Sequence, residues 1–198
     1  FRRSTNSLSM RGSDMQTQMI DKQWSKKYPH VGKGPVATEP CVSPEYFERE
    51  RERIFRRHWI NVGRTDEVVE NGHYFVRELA VCKVSVLVVR GNDGEVRAFH
   101  TVCPQRGNTL VVNEAGKCPG RVGCGFHSWA FSPEGVDAFV PDEENFFDID
   151  KSKNGFSPIT SDIWEGFIFI NLSKSPEQSF REFLGGVATK IHCAGFEQ

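Results

Sequence analysis

The sequence predicts a mainly β chain: an antiparallel β-sandwich with a small subdomain on two cysteine loops, an N-terminal helix and a short C-terminal helix. Three observations carry this reading. Stretches such as Lys83–Arg90, KVSVLVVR, alternate with the two-residue period of a strand. Turn chemistry separates them at regular intervals, as in Gly91-Asn92-Asp93-Gly94 and Ser132-Pro133-Glu134-Gly135. Two short segments of matching composition, Cys103-Pro-Gln-Arg-Gly-Asn and Cys124-Gly-Phe-His127-Ser-Trp, then interrupt the strands. Each sets Gly or Pro beside a cysteine, so a metal or cluster held between them takes one ligand pair from each.

Taken in order, residues 1–42 are polar and broken by Gly32, Gly34, Pro35 and Pro40, and are read as an N-terminal extension. Phe1 rather than Met stands first, so Phe1 is not read as a natural start. Residues 1–13 are rich in Arg and Ser and hold no acid, a composition shared by organelle transit peptides and by plain extended tails. Ser43-Pro44-Glu45 opens a helix, with Ser43 as N-cap and Pro44 at the first position. Its apolar stripe is expected to be Phe47, Ile54 and Phe55, and Glu45–Arg49 and Glu52–Arg56 stand at ion-pair spacing. The arginines of Arg49–Arg57 alternate with Glu and read as a solvated face rather than a phosphate site.

Strands are expected at Trp59–Gly63, His73–Glu78, Lys83–Arg90 and Glu95–His100, the last delivering the chain to Cys103. A hairpin follows from Thr109–Val112 through a loop at 113–120 to Arg121–Cys124. Ser128–Phe131 and Val136–Val140 form another. Asp142–Asn154 reads as a surface loop with one helical turn, and Ile159–Trp164 and Gly166–Leu172 as a closing strand pair. Ser175-Pro176-Glu177-Gln178 reads as a capping box opening a helix to Leu184, which Gly185-Gly186 ends. A domain at 43–184 and a linker at 185–198 complete the division.

Composition sets the outer bounds. With 198 residues and 38% hydrophobic content, one domain can bury a core. A net charge of −1 shows no electrostatic footprint for nucleic acid. No apolar run approaches the roughly eighteen residues of a membrane span. Six cysteines are too sparse for a disulfide scaffold and fit a reducing compartment. The expected location is cytoplasmic, with organelle targeting through residues 1–13 as the alternative.

The two cysteine segments resemble a Rieske [2Fe–2S] domain, whose pattern is Cys-x-His, a spacer and Cys-x-x-His. The second half matches at Cys124, His127 and Trp129; the first matches at Cys103, Arg106 and Gly107 but carries Gln105 where a histidine is expected. The resemblance extends through Tyr46-Phe47…Ile54-Phe55…Trp59, Gly72-His73-Tyr74, GNDGEVRAFHTVCPQRGN and Trp164–Asn171. These residues are similar to the α subunit of aromatic-ring-hydroxylating oxygenases. The respiratory-chain branch has an extra cysteine in each loop, where this chain has Asn108 and Phe126.

The resemblance implies a Rieske-type antiparallel β-sandwich with cluster-binding loops at 101–109 and 122–131. It implies Cys103 and Cys124 as ligands of one iron and His127 as ligand of the other. Trp129 would pack beside the cluster, and Gly107, Gly123 and Gly125 would allow close backbone approach. The family's usual Tyr and Gly beside the second histidine are Phe126 and Ser128 here. A carboxamide oxygen is a poorer donor to iron than an imidazole, so Gln105 leaves the outer iron one strong ligand short.

The implied function is one-electron transfer from a ferredoxin or reductase to a mononuclear Fe(II). That iron would lie in a further domain, because no His-x₄-His pair with a later Asp occurs and His192 is the only histidine after His127. The family implies a homo-oligomer, a trimer. Two other readings stay open: a Rieske fold without a cluster acting as an interaction module, and a zinc site on Cys103, Cys118, Cys124 and His127. Cys41, Cys82 and Cys193 carry no pattern, and His30, His58 and His73 are unsupported as ligands.

Overall fold

The computed structural model describes residues 24–188, apart from 32, 33, 112, 119, 148, 152 and 153. The readings on residues 1–13, His192, Cys193 and most of the linker at 185–198 lie outside the described residues. The chain divides into two compact units, 1–40 and 41–198. Among its described residues the first contains a helical turn at Trp24–Lys27, and a second turn, Glu39–Val42, begins at its end; everything below concerns the second unit.

Helix α1, Pro44–Glu50, begins where its sequence demands: the Ser43 hydroxyl accepts the Tyr46 N–H at 3.2 Å and proline fills the first turn. It widens into a π turn at Arg51–Phe55, closed by Arg56 N–H to the Arg51 carbonyl at 3.0 Å. The expected apolar stripe is not what docks it. Phe47 is 40% and Ile54 48% exposed and only Phe55 of the stripe is half-buried, whereas Arg51 is 5% exposed. Arg51 donates from Nε to the Val81 carbonyl, and Arg56 donates to the Cys82 carbonyl at 2.7 Å. Two guanidinium groups thus satisfy the orphan carbonyls at the end of the short helical turn Ala80–Cys82. Glu52 pairs with Arg56 at 3.3 Å as spacing suggests, while Arg49 lies over the Tyr46 ring.

The strands are β1 Ile60–Arg64, β2 His73–Leu79, β3 Val84–Arg90, β4 Val96–His100, β5 Ala115–Lys117, β6 Val122–Gly123, β7 Ala130–Phe131, β8 Asp137–Phe139, β9 Pro158–Trp164 and β10 Phe167–Asn171. Seven make one curled antiparallel sheet in the order β1-β10-β9-β4-β3-β2-β5, and β6-β7-β8 make a small separate one. This is the mainly β, antiparallel architecture that the alternation predicts. β9 and β10 are joined by Glu165-Gly166 with φ of +50° and +74°, the doubly left-handed turn that matches strand twist.

Three local expectations are corrected. Residues 113–120 are not all loop: Ala115–Lys117 pairs with His73–Phe75 as an edge strand. Its short polar sequence carries no alternation, so only the partner's free edge reveals it. Conversely, Thr109–Val112 is no strand in its described part; Thr109 makes one bridge, to Val102. Helix α2 spans Phe180–Leu184 and is capped by Ser179, not Ser175. Ser179 Oγ accepts the Glu182 N–H at 3.3 Å, and the Glu182 carboxylate accepts the Ser179 N–H at 2.8 Å. A charged carboxylate suits the positive helix end better than Gln178 would. Starting there also places Phe180 against Trp59 and Phe169, with ring centroids at 5.1 and 4.7 Å.

Two cores flank the middle of the large sheet. Phe75, Val86, Val88, Ala98, Ile159, Ile168 and Ile170 fill one. Tyr74, Leu87, Val89 and Phe99 enter the other, with Cys103, Leu110, Cys118, Val122, Cys124, Trp129, Phe131, Val140 and Phe156. β3 therefore contributes to both, and Val86 through Val89 are all fully buried. The unbroken VLVV inside KVSVLVVR is what a strand covered on both faces requires. The second core joins the large sheet to the small one and carries the two cysteine loops.

Candidate metal centre

Each loop is a tight excursion with the same backbone construction. In the first, Cys103 N–H donates to the Asn108 carbonyl at 2.8 Å and Gly107 N–H to the Cys103 carbonyl at 2.9 Å. In the second, Cys124 N–H donates to the Trp129 carbonyl at 2.7 Å and Ser128 N–H to the Cys124 carbonyl at 3.0 Å. Gly107 and Ser128, the fourth residue after each cysteine, are both left-handed, with φ of +72° and +58°. The chain can reverse so sharply only by visiting that region.

This construction turns backbone N–H groups onto sulfur. The Cys103 thiol faces the N–H groups of Gln105 and Arg106, and the Cys124 thiol those of Phe126 and His127. The thiols also contact each other, and both cysteines are buried, 2% and 3% exposed. Asn108 Nδ2 reaches Cys124 Sγ at 3.8 Å. Burial pushes the Cys103 thiol above its ordinary range. Burial also acts upward on Cys124, but the Phe126 and His127 N–H groups, the Cys103 thiol and the Asn108 amide outweigh it and hold Cys124 low. The same N–H groups that lower the Cys124 thiol favour negative charge on its sulfur.

Beside the thiols stands a second pair: His127 Nδ1 lies 2.9 Å from Gln105 Oε1. The Phe126 ring covers the imidazole at 3.9 Å between centroids. Trp129, 4% exposed, packs under the second loop against Phe131 and Phe146. A Cβ built on Gly123 or Gly125 meets no protein atom within 4 Å, so the backbone there borders open space.

The loops thus bring the sequence-selected Cys103, Cys124, His127 and Gln105 together as two pairs, one of sulfur and one of nitrogen and oxygen. Among the described residues no three His, Cys, Asp or Glu gather around a single ion position. A one-ion zinc site would need such a gathering; a two-iron cluster needs one ligand pair per iron. Cys118 lies in the same core but is tied to Gly72 through its N–H at 2.8 Å, and burial lifts its thiol to about 11. The Cys103–Cys118–Cys124–His127 zinc set is not assembled. His100 sits on β4 opposite Val86, its imidazole held low by burial and then by Arg56. The cradle of N–H groups and the thiol pair suit a [2Fe–2S] group on its sulfur side, and the His127 imidazole and the Gln105 carboxamide lie against each other.

Residues 58–150 match the family described as the Rieske [2Fe-2S] domain. This stretch is a Rieske domain. Relatives of the Rieske chain are oxygenase subunits. It is 34% identical over 145 residues to the carnitine monooxygenase oxygenase subunit of Escherichia coli (strain K12), covering 73% of this chain and 38% of that protein. It is 37% identical over 161 residues to the large oxygenase component of the naphthalene 1,2-dioxygenase system of Pseudomonas aeruginosa, covering 77% and 35%. The crystal structure of the apo form of the quaternary ammonium Rieske monooxygenase CntA superposes with a TM-score of 0.75 at 27% identity, covering 82% of this chain and 47% of that one. Naphthalene 1,2-dioxygenase from Rhodococcus sp. superposes with a TM-score of 0.75 at 26% identity, covering 80% and 36%. The chain spans less than half the length of these relatives. Among the described residues no helix is long and apolar enough to cross a membrane.

Sequence reasoning missed two features of this Rieske site. In the sequence Asn108 marks only the place of an absent cysteine, yet its amide reaches the Cys124 sulfur. The Gln105–His127 contact also needed the loops' relative placement. A short polar side chain five residues after the first cysteine is the only available sequence signal for the former.

Proposed function

We propose that the chain is the electron-transfer module of a Rieske oxygenase α subunit. In this reading Cys103 and Cys124 hold one iron of a [2Fe–2S] cluster and His127 holds the other. The bound cluster would supply one-electron transfer, accepting from a ferredoxin or reductase and delivering to a mononuclear iron in a further part of an oligomeric oxygenase, a trimer. The observation that carries the reading is the mutual contact of two buried thiols at the tips of two loops with the same backbone hydrogen bonds.

The residues here do three things for such a group. N–H donors from Gln105, Arg106, Phe126 and His127 stabilise negative charge on sulfur, which favours the reduced form. Trp129 and the core behind it exclude water from the thiol side. Phe126, 60% exposed, packs against the half-buried His127 imidazole and offers an apolar surface beside it to a partner. Domain limits of 43–184 with a following linker belong to the same proposal. Relatives act on carnitine and belong to a naphthalene dioxygenase system, so quaternary ammonium compounds and aromatic hydrocarbons are the substrate classes to screen in the whole oxygenase. A cytoplasmic location accords with the sparse cysteine content of the sequence and with the free thiols of Cys41, Cys82, Cys103, Cys118 and Cys124 among the described residues.

A second reading, a Rieske fold that works as an interaction module without a cluster, is favoured by the Gln105 substitution. Anaerobic purification from an iron-replete host decides between them. Brown protein with equimolar iron and acid-labile sulfide, and the low-g resonance of a reduced Rieske centre, is expected. Colourless, metal-free protein would leave only the interaction module, and one zinc per chain would restore the zinc reading.

A further inference from the structure

We propose that Gln105 is itself the fourth protein ligand, its carboxamide oxygen binding the same iron as His127. The inference rests on the cluster-binding reading above and goes beyond it by assigning a role to the substituted position.

Two independent features point this way. The first is spacing. Gln105 Oε1 and His127 Nδ1 lie 2.9 Å apart. Two donors each about 2.1 Å from one metal stand about 3.0 Å apart at a right angle and about 3.4 Å apart at a tetrahedral one. The pair that is hydrogen-bonded here therefore needs little displacement to share an ion. The second feature is a shared surrounding: Gln105 stands two residues after Cys103 and His127 three residues after Cys124, and each has its N–H on the sulfur of its own loop. Each loop thus supplies one residue that stabilises sulfur through its backbone and offers a side-chain donor beside it. Both side chains are half-buried, so each is held at the site instead of ranging through solvent.

A neutral carboxamide keeps the charge of a neutral imidazole and is a harder, weaker donor to iron. Ligation by oxygen therefore predicts a cluster that assembles but is less firmly held than with two histidines. A purely structural role, in which Gln105 only steadies the imidazole ring, predicts no direct electronic coupling between glutamine and iron.

The test compares the wild-type chain with Gln105→His, Gln105→Glu and Gln105→Leu, all purified anaerobically from one iron-replete host. Iron and sulfide content should fall in the order Gln105→His, wild type, Gln105→Leu, the leucine variant retaining several-fold less than wild type. Gln105→Glu keeps an oxygen donor and should retain iron. On reduced protein, ¹⁵N-histidine labelling with electron–nuclear double resonance should show one strongly coupled nitrogen in wild type and two in Gln105→His. A ¹³C coupling from labelled glutamine should be present in wild type and absent from Gln105→Leu. Thermal melts of all four confirm folding. Equal iron content and unchanged spectra in Gln105→Leu would overturn the ligand role while leaving the cluster reading intact. A brown Gln105→His beside a colourless wild type would also overturn it, with Cys103, Cys124 and His127 retained as ligands. If no variant holds iron, the cluster reading fails and this inference with it.

Discussion

At the scale of the residue, the two left-handed positions make opposite predictions. Gly107 has φ of +72° and Ser128 has φ of +58°. Gly107→Ala should cost about 1 kcal/mol, because alanine strains there even though only Val102 approaches its Cβ position, at 3.9 Å. Ser128→Gly should raise stability by up to about 1 kcal/mol, the relieved strain exceeding the added freedom of the unfolded chain. Chemical denaturation of both variants checks the pair of signs. Asp93 offers a pH test. The Arg97 guanidinium, then the Glu95 N–H, lower its carboxyl from 3.8 to about 2. A carboxyl held lower when folded contributes stability that is complete above its unfolded value and lost as pH falls toward about 2. Asp93→Asn should flatten that part of the acid-unfolding profile. The resemblance to the Rieske pattern is what singled out Cys103, Cys124 and His127, and the fold sets them on two neighbouring loops. The pattern could not show that Ser128 bears a positive φ or that Asn108 reaches sulfur, because both depend on the completed reversal of the loop.

At the scale of the element, β3 separates fold from site. Leu87 lies in the core that holds Cys103 and Cys124, and Val88 lies in the opposite one. Leu87→Ala and Val88→Ala should each cost on the order of 2–3 kcal/mol. Only Leu87→Ala should also speed the loss of iron from loaded protein, read by the decay of its visible absorbance under a chelator. Equal decay in the two variants would place the site's support elsewhere. The sequence located β2, β3, β4, β9 and β10 through β-branched and aromatic runs bounded by turn chemistry, although Val86–Val89 is buried on both faces and does not alternate. The same signals did not find β5, whose side chains are all exposed. The sequence misjudged α1 because arginine, not an apolar stripe, makes that contact. A guanidinium bound to carbonyl oxygens buries without changing the hydropathy pattern. The helix cap moved from Ser175 to Ser179 because two candidates share one signature and only the position of Phe180 chooses between them.

At the scale of the whole molecule, unit 41–198 contains both cores and both loops. Its fragment should fold alone, giving a dispersed amide spectrum and one cooperative melt; a collapsed spectrum would show that its cores do not suffice. Membership of the Rieske family was readable because the loop residues are set by chemistry rather than by packing. The long pairing β4–β9, which joins β1-β10-β9 to β4-β3-β2-β5 across the whole intervening subdomain, was not. Strand order depends on contacts between residues such as Ala98 and Ile159 that no local pattern links.

The shared hydrogen-bond scheme of the two loops has a practical corollary. If the same backbone course runs from Cys103 to Asn108 and from Cys124 to Trp129, either hexapeptide is a cassette that the other's frame should accept. Transplanting one into the other's place would shift a donor side chain by one step along the reversal while keeping the sulfur and its amide cradle. Engineers could then vary what meets the second iron without rebuilding the scaffold that presents it.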